Sequence, residues 1–478
     1  MTVNNEKLKE NFESMHIINK WEGNLHENNR LPRFITEYLY QDFVKKHENM
    51  DKETIISQFY KFLSLRYPEK RERENIKHKI ISEKEYAIID EYNVTTDLKH
   101  NYYWLNIPSL DIDNATIYQE LLEKYDALLK GGMWGIGFLK YDDMIYIPEE
   151  NGIKKGIPVV LKDFVPFQSV NTDLDLFLKK REKFTKEEWI DLLINSIGIN
   201  PDIYTERQKI VFLSRLIPLV GNNMYTVEIG QRATGKSYIY RNISSYTRLI
   251  AGGTVSPAML FYNITSRRAG EITIRDCIAF DEINRIHFYN PDEVSSKLKD
   301  YMDSGNFERG LMKGKSTCSF VFMGNCKKFD GMSSIVDSLP EVIKDDTAFI
   351  DRLSGIVPGW ELSKLMSPEK SLSHALALRT DYLSAILHML RTVNYEEKFN
   401  DKVELYGDVT DISIRDWKAV TRNASAIIKI IYPDGKLNNV DWSFVATYAS
   451  ELRSRVTEIL HAKLPEEFKN KKILWKVK

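Results

Sequence analysis

The segment from Tyr225 to Ser237 carries the residue types that bind a triphosphate. A β-like run, YTVEIG, leads into a loop and then into the helix-like run YIYRNIS. The loop satisfies the pattern GxxxxGK[ST] with Gly230, Gln231, Arg232, Ala233, Thr234, Gly235, Lys236 and Ser237. Between a strand and a helix, such a loop presents backbone N–H groups and a lysine to phosphate and a hydroxyl to magnesium. We therefore predict a site for ATP and Mg²⁺ rather than an ordinary glycine-bearing turn.

Two further strand-like segments end in polar residues that suit the same chemistry. RDCIAFDE ends in Asp281 and Glu282, and CSFVFMGN ends in Asn325. Phosphoryl transfer depends on positioning and charge stabilisation, so Asp281 is predicted to hold magnesium and Glu282 to orient the attacking water. Asn325 is predicted to sense the γ-phosphate. The alternatives are a solvated turn for the acidic pair and a strand-end turn residue for the asparagine.

Arginines later in the chain are candidates for stabilising transition-state charge. Arg352 follows the acidic, partly apolar segment DDTAFID, and we predict that it completes the site of a neighbouring subunit in a ring. Its alternative role is a salt bridge to Asp351 or Asp346. Arg415 and Arg422 lie on one face of an amphipathic helix, and one of them is predicted to reach the nucleotide from a helical lid. The alternative is a solvated helix face.

A glycine-rich segment between the acidic pair and Asn325 predicts a hairpin. In YMDSGNFERGLMKGKSTC, Gly310 and Gly314 mark the turn, and Lys313 and Lys315 make it basic. A basic hairpin at this point of the chain is predicted to project into the channel of a ring and to contact DNA phosphates. The alternative is a solvated turn.

Composition excludes several other classes of protein. The chain has 478 residues, of which 43% are hydrophobic and 28% are charged, as in a folded globular protein. No apolar run approaches the roughly 18 residues of a membrane span, and the start is too polar for a secretory signal, so a cytoplasmic protein is expected. Cys277, Cys318 and Cys326 fit reduced structural thiols. The nine histidines show no HExxH pair, so any metal is expected to arrive with the nucleotide.

The spacing of apolar residues divides the chain into segments with different predicted secondary structure. Helical spacing comes first, short β-like runs follow, and strands then alternate with helices, as in a parallel sheet covered by helices. Thr185 and Glu188 predict a capped helix start within FTKEEWIDLLINSIG. The predicted division is a helical region at 1–82, a small β-rich domain at 83–180, an α/β core at 181–360, a helical lid at 361–462 and a basic, mobile tail at 463–478.

Stretches between about residues 183 and 432 match one known family. They are KFTKEEWIDLLINSIG, RLIPLV, GQRATGKSYIYRNIS, LFYNITSRRAG, AFDEI, DYMDSGNFERG, DTAFIDRLSGIVPGW and RDWKAVTR. On these residues the chain resembles the BrxL family, the Lon-like AAA+ proteins of bacteriophage-exclusion (BREX) systems. The resemblance implies an AAA+ P-loop core similar to that of replicative MCM helicases. It also implies a homo-oligomeric ring, hexameric or heptameric and single or stacked, that encloses duplex DNA, with other BREX defence proteins as partners.

The resemblance also assigns roles to individual residues. The parts of the motor correspond to Lys236, Asp281, Glu282, Asn325 and Arg352. Lys313 and Lys315 occupy the presensor hairpin of MCM-like motors, and Arg415 stands where those motors keep a second sensor. Full-length family members continue into a Lon-like peptidase module with a Ser-Lys dyad. Only about 45 residues follow Pro433, so such a module does not fit and peptidase activity is not expected.

Two hypotheses for the function follow. The leading one is an ATP-hydrolysing ring that engages DNA in anti-phage defence. The alternative is an ATP-dependent ring or scaffold that remodels a protein partner without translocating on DNA. The hairpin lysines favour the first hypothesis, because protein-threading rings usually present an aromatic and hydrophobic pair in the channel.

Overall fold

A computed structural model describes residues 5–22, 25, 31–67, 69–167, 172–264, 268–326, 331, 333–337 and 339–478. The chain divides into two compact units. One consists of residues 1–34 and 171–478, and the other of residues 35–170. The second unit is therefore inserted into the first. None of the described helices is both long and apolar enough to cross a bilayer.

The first unit is built on a five-stranded parallel sheet. In order across the sheet, the strands are Thr247–Val255, Cys277–Phe288, Ser319–Asn325, Tyr225–Gly230 and Gly355–Val357. We name three of them by the residues at which the sequence predicts a site: Cys277–Phe288 is the acid-pair strand, Ser319–Asn325 the asparagine strand and Tyr225–Gly230 the P-loop strand. Their apolar residues are buried on both faces, as expected where helices cover a parallel sheet. All pairs are parallel, so the carboxyl ends of the three strands meet at one edge.

Helices of the first unit surround this sheet and continue into the later part of the chain. They are Asn5–Asn11, Leu174–Arg181, Lys186–Ile197, Glu206–Leu213, Ile217–Val220, Lys236–Asn242, Pro257–Leu260, Glu271–Ile274, Pro291–Ser304, Ser333–Val336, Glu341–Lys344, Thr347–Ile350, Pro368–Ser371, Thr380–Leu390, Glu396–Lys402, Ile414–Ile431 and Asn439–Lys463. The predicted capping box is confirmed: Glu188 N donates to Thr185 Oγ1 at 3.2 Å, and Thr185 N donates to Glu188 Oε2 at 2.8 Å.

Short antiparallel pairs complete the first unit. They are Ile17–Asn19 with Leu376–Leu378, Tyr262–Asn263 with Arg268–Ala269, Asn306–Arg309 with Met312–Lys315, and Val403–Gly407 with Ile473–Val477. The first of these pairs joins the amino-terminal segment to the later part of the chain. The last one corrects the expectation of a mobile basic tail. Ile473 is buried, and Trp475 and Val477 pack against the core, so alternate apolar residues bind the terminal strand to its partner.

The second unit contains a closed barrel of five strands. In chain order they are Tyr86–Asp97, Tyr102–Ile107, Ile112–Ile117, Met133–Tyr141 and Val159–Pro166. Around the barrel the order is first, second, third, fifth and fourth, with the third and fifth strands parallel. The helix Gln119–Lys124 lies between the third and fourth strands, so the topology is that of an OB-fold. The remaining elements of the unit are Arg33–Lys46, Lys52–Arg66, Arg73–Ser82, Glu149–Glu150 and Ile153–Lys154.

Candidate functional site

The P-loop joins the P-loop strand to the helix Lys236–Asn242. Gly235 caps this helix at φ +79°, and Ala233 stands at φ +61°, where a residue with a Cβ is strained by roughly 1–3 kcal/mol. A later segment holds the loop in this shape. Leu365 N donates to Ala233 O at 2.8 Å, and a side chain at Gly230 would meet Gly359 backbone atoms at 2.6 Å. The loop conformation is thus fixed without a ligand.

Lys236 connects the P-loop to the asparagine strand. Its Nζ donates to Gly230 O at 3.1 Å, to Gln231 O at 2.8 Å and to Asn325 Oδ1 at 3.0 Å. All three acceptors are uncharged oxygens, and only 6% of the lysine is exposed. Burial lowers the pKa of Lys236, because the charged form is poorly solvated. An anion bound in front of the loop would supply the missing negative charge.

Asp281 and Glu282 lie beside this lysine at the sheet edge. The acid-pair strand loses its regular pairing at this point, since Ala251 pairs with Asp281 but Gly253 pairs with Ile286. Glu282 has φ +47°, and its backbone N donates to Asp281 Oδ1 at 2.9 Å. The irregularity takes Glu282 out of the regular strand pairing. Arg285 Nη1 donates to Glu282 Oε2 at 3.0 Å.

All of the predicted P-loop residues except Gly230 line one or both of two adjoining cavities, together with Asp281, Glu282 and Asn325. A cavity of about 290 Å³ is lined by Arg232, Ala233, Thr234, Gly235, Lys236, Ser237, Tyr238, Asp281, Glu282 and Asn325. A second cavity, of about 400 Å³, is lined by Gln231, Arg232, Glu282, Asn284, Arg285, Asn325, Cys326 and Lys364. They share Arg232, Glu282 and Asn325, and we call them together the nucleotide cleft. The Ser237 hydroxyl and the Asp281 carboxylate both border it, and such oxygen donors suit Mg²⁺.

A buried ion pair beneath the P-loop was not predicted from the sequence. Arg215 is fully buried and Glu228 is 1% exposed, and Arg215 Nη2 lies 2.6 Å from Glu228 Oε1. Arg215 Nη1 also donates to Thr234 O at 2.8 Å. The arginine therefore ties the P-loop backbone to the P-loop strand. It is a positioning residue, because it acts on the site through Thr234 and does not border the cleft.

Separating this pair should have a large effect on stability. Arg215→Met leaves the Glu228 carboxylate buried without its partner, and we expect a loss of about 3–5 kcal/mol in the free energy of unfolding. Arg215→Met with Glu228→Leu should recover most of this loss in urea unfolding. The double variant should still bind a fluorescent ATP analogue more weakly than the parent, because Thr234 O keeps no donor. Full recovery of both properties would show that the pair has no role in shaping the loop.

Arg352 and Arg415 lie together, but outside the nucleotide cleft of their own chain. Arg352 Nη1 donates to Ala348 O at 2.7 Å, and its Nε lies 3.7 Å from Asp303 Oδ1. Arg415 Nη2 donates to the same Asp303 oxygen at 3.3 Å, and its Nη1 donates to Asp351 Oδ2 at 2.6 Å. Arg352 thus has an acidic neighbour, but this is Asp303 and not the Asp351 or Asp346 suggested by the sequence. We call Arg352 and Arg415 the arginine pair, and Asp303 is the carboxylate that they share.

The other cations predicted from the sequence lie away from the nucleotide cleft. Arg422 borders a different cavity, at the opposite end of the P-loop strand. In the predicted hairpin, Lys313 and Lys315 lie on the exposed face of Met312–Lys315. Lys313 Nζ is 3.1 Å from Glu308 Oε2, so part of its charge is compensated. Leu311, at the turn, is 102% exposed and makes the tip partly apolar. The hairpin and cleft are therefore distinct sites.

The parallel sheet, the phosphate-type loop and the polar residues at the strand ends define an α/β ATPase domain of the AAA+ type. The chain belongs to the BrxL family. Residues 159–474 match the family model described as "Lon-like protease BrxL-like, ATPase domain", and residues 10–141 match "BREX system Lon protease-like protein BrxL N-terminal". The N-terminal model thus covers the first four barrel strands, and the ATPase model covers the last barrel strand and most of the first unit.

Two curated relatives carry the name Lon-like protease BrxL. The protein from Bacillus cereus (strain H3081.97) is 33% identical over 461 residues, which cover 95% of this chain and 66% of the relative. The protein from Escherichia coli O9:H4 (strain HS) is 31% identical over 458 residues, covering 95% of this chain and 64% of the relative. The chain therefore spans slightly less than two thirds of the length of these relatives.

Proposed function

We propose that this chain is an ATP-hydrolysing, ring-forming motor that engages DNA in BREX-type defence in the cytoplasm. The observation that carries the proposal is the contact of Lys236 with Asn325 inside a cleft that Asp281 and Glu282 also border. This arrangement gathers the parts of a phosphoryl-transfer site at one sheet edge. BREX proteins other than this one are the expected partners.

The roles of the cleft residues follow from their positions. Lys236 would exchange its uncharged oxygen partners for phosphate oxygens, and Asn325, which it contacts, would sense the γ-phosphate. Ser237 Oγ and Asp281 would hold Mg²⁺, which would neutralise phosphate charge during transfer. Glu282 borders the cleft and would orient the attacking water. Gly230 to Gly235 let the loop backbone approach the phosphates closely.

The ring proposal is supported by the arginine pair. Arg352 and Arg415 share Asp303 outside their own cleft, where an adjoining subunit's nucleotide could displace the carboxylate as their partner. An arginine supplied in trans makes hydrolysis depend on assembly. A ring of the hexameric or heptameric kind, similar to MCM helicases, repeats this interface at every subunit boundary.

Contact with DNA is proposed for two elements. The first is the hairpin with Lys313 and Lys315, whose exposed face carries both lysines. The second is the five-stranded barrel, because OB-type barrels are common supports for oligonucleotides. Binding to phosphates through lysines carries no base code, so the expected affinity is independent of sequence.

The hairpin provides the test of DNA engagement. Lys313→Ala with Lys315→Ala should weaken duplex DNA binding and flatten the plot of log affinity against log salt concentration. Each lysine that neutralises a phosphate contributes about 0.9 to this slope on duplex DNA. Fluorescence anisotropy in a salt series measures both quantities. Basal ATPase activity should persist, whereas its stimulation by DNA should be lost.

A substitution of Glu308 provides a matched control in which DNA affinity should change in the opposite direction. Glu308→Gln removes the carboxylate that pairs with Lys313, so it should strengthen DNA binding. If neither variant changes affinity or slope, the hairpin is a solvated turn. The exposed Leu311 at the tip would then favour the alternative function, an ATP-dependent ring or scaffold that remodels a protein partner.

A further inference from the structure

Another cavity in the first unit lies at the far end of the P-loop strand from the nucleotide cleft. Its volume is about 260 Å³, and its lining includes Gly221 and Met224, which precede Tyr225. The helix Ile414–Ile431 forms one wall through Arg422, Ser425 and Lys429. No role in ATP hydrolysis accounts for this cavity, because the strand separates it from the P-loop.

Three cations and one carboxylate line the cavity. The cations are Arg391, Arg422 and Lys429, and the carboxylate is that of Glu396. Like charges held close together repel unless an anion lies between them. The surplus of positive charge thus requires an explanation, particularly for the groups that are buried.

Lys429 is the most costly of these groups. It is 5% exposed, and its Nζ donates to Val220 O at 3.0 Å. Within the described part of the chain, no carboxylate forms an ion pair with it. Burial lowers the pKa of Lys429 to about 8; the neighbouring charge of Arg391 acts in the same direction, and that of Glu396 in the opposite one. A buried ammonium whose one described hydrogen-bond acceptor is a carbonyl is costly, and Glu396 compensates for only part of this charge because it forms no ion pair with Lys429 within 4 Å.

The two arginines differ in how firmly they are held. Arg391 is fixed by the backbone, since its Nη1 donates to Gly221 O at 2.7 Å and its Nη2 to Thr317 O at 2.6 Å. Asp276 Oδ1 lies 3.4 Å from Arg391 Nε and compensates part of its charge. Arg422 lies seven residues before Lys429 on the same helix face. Among the described residues its guanidinium has no hydrogen-bond or ion-pair partner, so its donors are free.

We propose that this cavity binds a small phosphate anion between Arg422 and Lys429. A guanidinium presents paired donors that match phosphate oxygens, and an ammonium adds a compact charge. The Arg391 guanidinium is held in place by the backbone and attracts the anion electrostatically. The volume is below the roughly 300–1,000 Å³ typical of sites for drug-sized ligands, so a phosphate or one phosphate group fits better than a whole nucleotide.

Calorimetric titration of the full chain tests the proposal. Lys236→Ala serves as the starting protein, so that the P-loop does not compete for the anion. Inorganic phosphate should bind to one site per chain, and Arg422→Gln should weaken it at least tenfold. Lys418→Gln, on the exposed face of the same helix, should leave the affinity unchanged. A parallel titration with AMP distinguishes a phosphate group carried by a nucleotide from free phosphate.

The possible outcomes distinguish free phosphate, a phosphomonoester and the absence of an anion site. Arg422-dependent binding of phosphate alone assigns free phosphate, and Arg422-dependent binding of AMP as well assigns a phosphomonoester. Lys429→Met keeps the side-chain volume and should abolish the rise in melting temperature caused by phosphate, provided that circular dichroism shows a folded chain. Phosphate binding that neither substitution weakens, or no phosphate binding at all, would overturn the proposal.

Discussion

Glu282→Gln should retain ATP binding while hydrolysis falls about 10²–10³-fold, the usual loss when one group that acts only in the transition state is removed. The amide keeps the shape of the side chain but no longer polarises water. Lys236 and Asp281 remain beside the phosphates, so the affinity measured by calorimetry should change little. Phosphate release under single-turnover conditions measures the hydrolytic step.

Arg285→Gln is the control for this prediction. Arg285 Nη1 donates to Glu282 Oε2, so loss of that contact alone could alter the position of the carboxylate. If Arg285→Gln slows hydrolysis as much as Glu282→Gln does, the ion pair and not the carboxylate charge is responsible. Near-normal turnover in Glu282→Gln would show that another residue positions the water.

Arg352→Ala should assemble normally and lose about 10³-fold or more of its hydrolytic rate, as expected when an arginine supplied in trans is removed. Mixing it with Glu282→Gln subunits should restore some activity, because some interfaces then receive both intact residues. ATPase activity as a function of mixing ratio measures this recovery. The recovery requires subunit exchange, which mass spectrometry of the mixed assemblies verifies.

The Asp303→Asn variant distinguishes two possible roles of Arg352, catalysis in trans and a structural salt bridge. The substitution removes the carboxylate that both Arg352 and Arg415 approach, while both arginines stay. Asp303 has 54% of its side chain exposed, so the chain should tolerate the change. If Asp303→Asn is as inactive as Arg352→Ala and mixed rings show no recovery, Arg352 acts only through its salt bridge.

Sequence reasoning anticipated the placement of residues best where those residues are consecutive in the chain. The P-loop motif consists of neighbours in the chain, and the structure places Arg232 to Ser237 of the motif around one cavity. The position of Asn325 could also be anticipated, because parallel strands bring their carboxyl ends to one edge. The contact between Asn325 and Lys236 joins residues 89 apart, yet it follows from this rule.

Contacts without a local pattern could not be predicted. The Arg215 and Glu228 side chains meet beneath the P-loop, but neither belongs to a motif that reveals the pairing. Asp303 was likewise missed as the neighbour of Arg352, because nearby carboxylates in the sequence were considered first. The strand Ile17–Asn19 has three residues, too few for a period of two to be recognised. Its partner lies more than 350 residues further along the chain.

The insertion of residues 35–170 has a consequence for how the chain is made. The barrel is continuous in sequence, so it can be completed while the ribosome is still adding later residues. The first unit cannot be completed then, because the strand Ile17–Asn19 pairs with Leu376–Leu378. Apolar residues of the opening segment therefore lack some of their final neighbours during most of translation, as Phe12 does until Tyr382 is made. Nascent chains of this protein should thus depend on chaperones at their amino-terminal segment more than at the barrel.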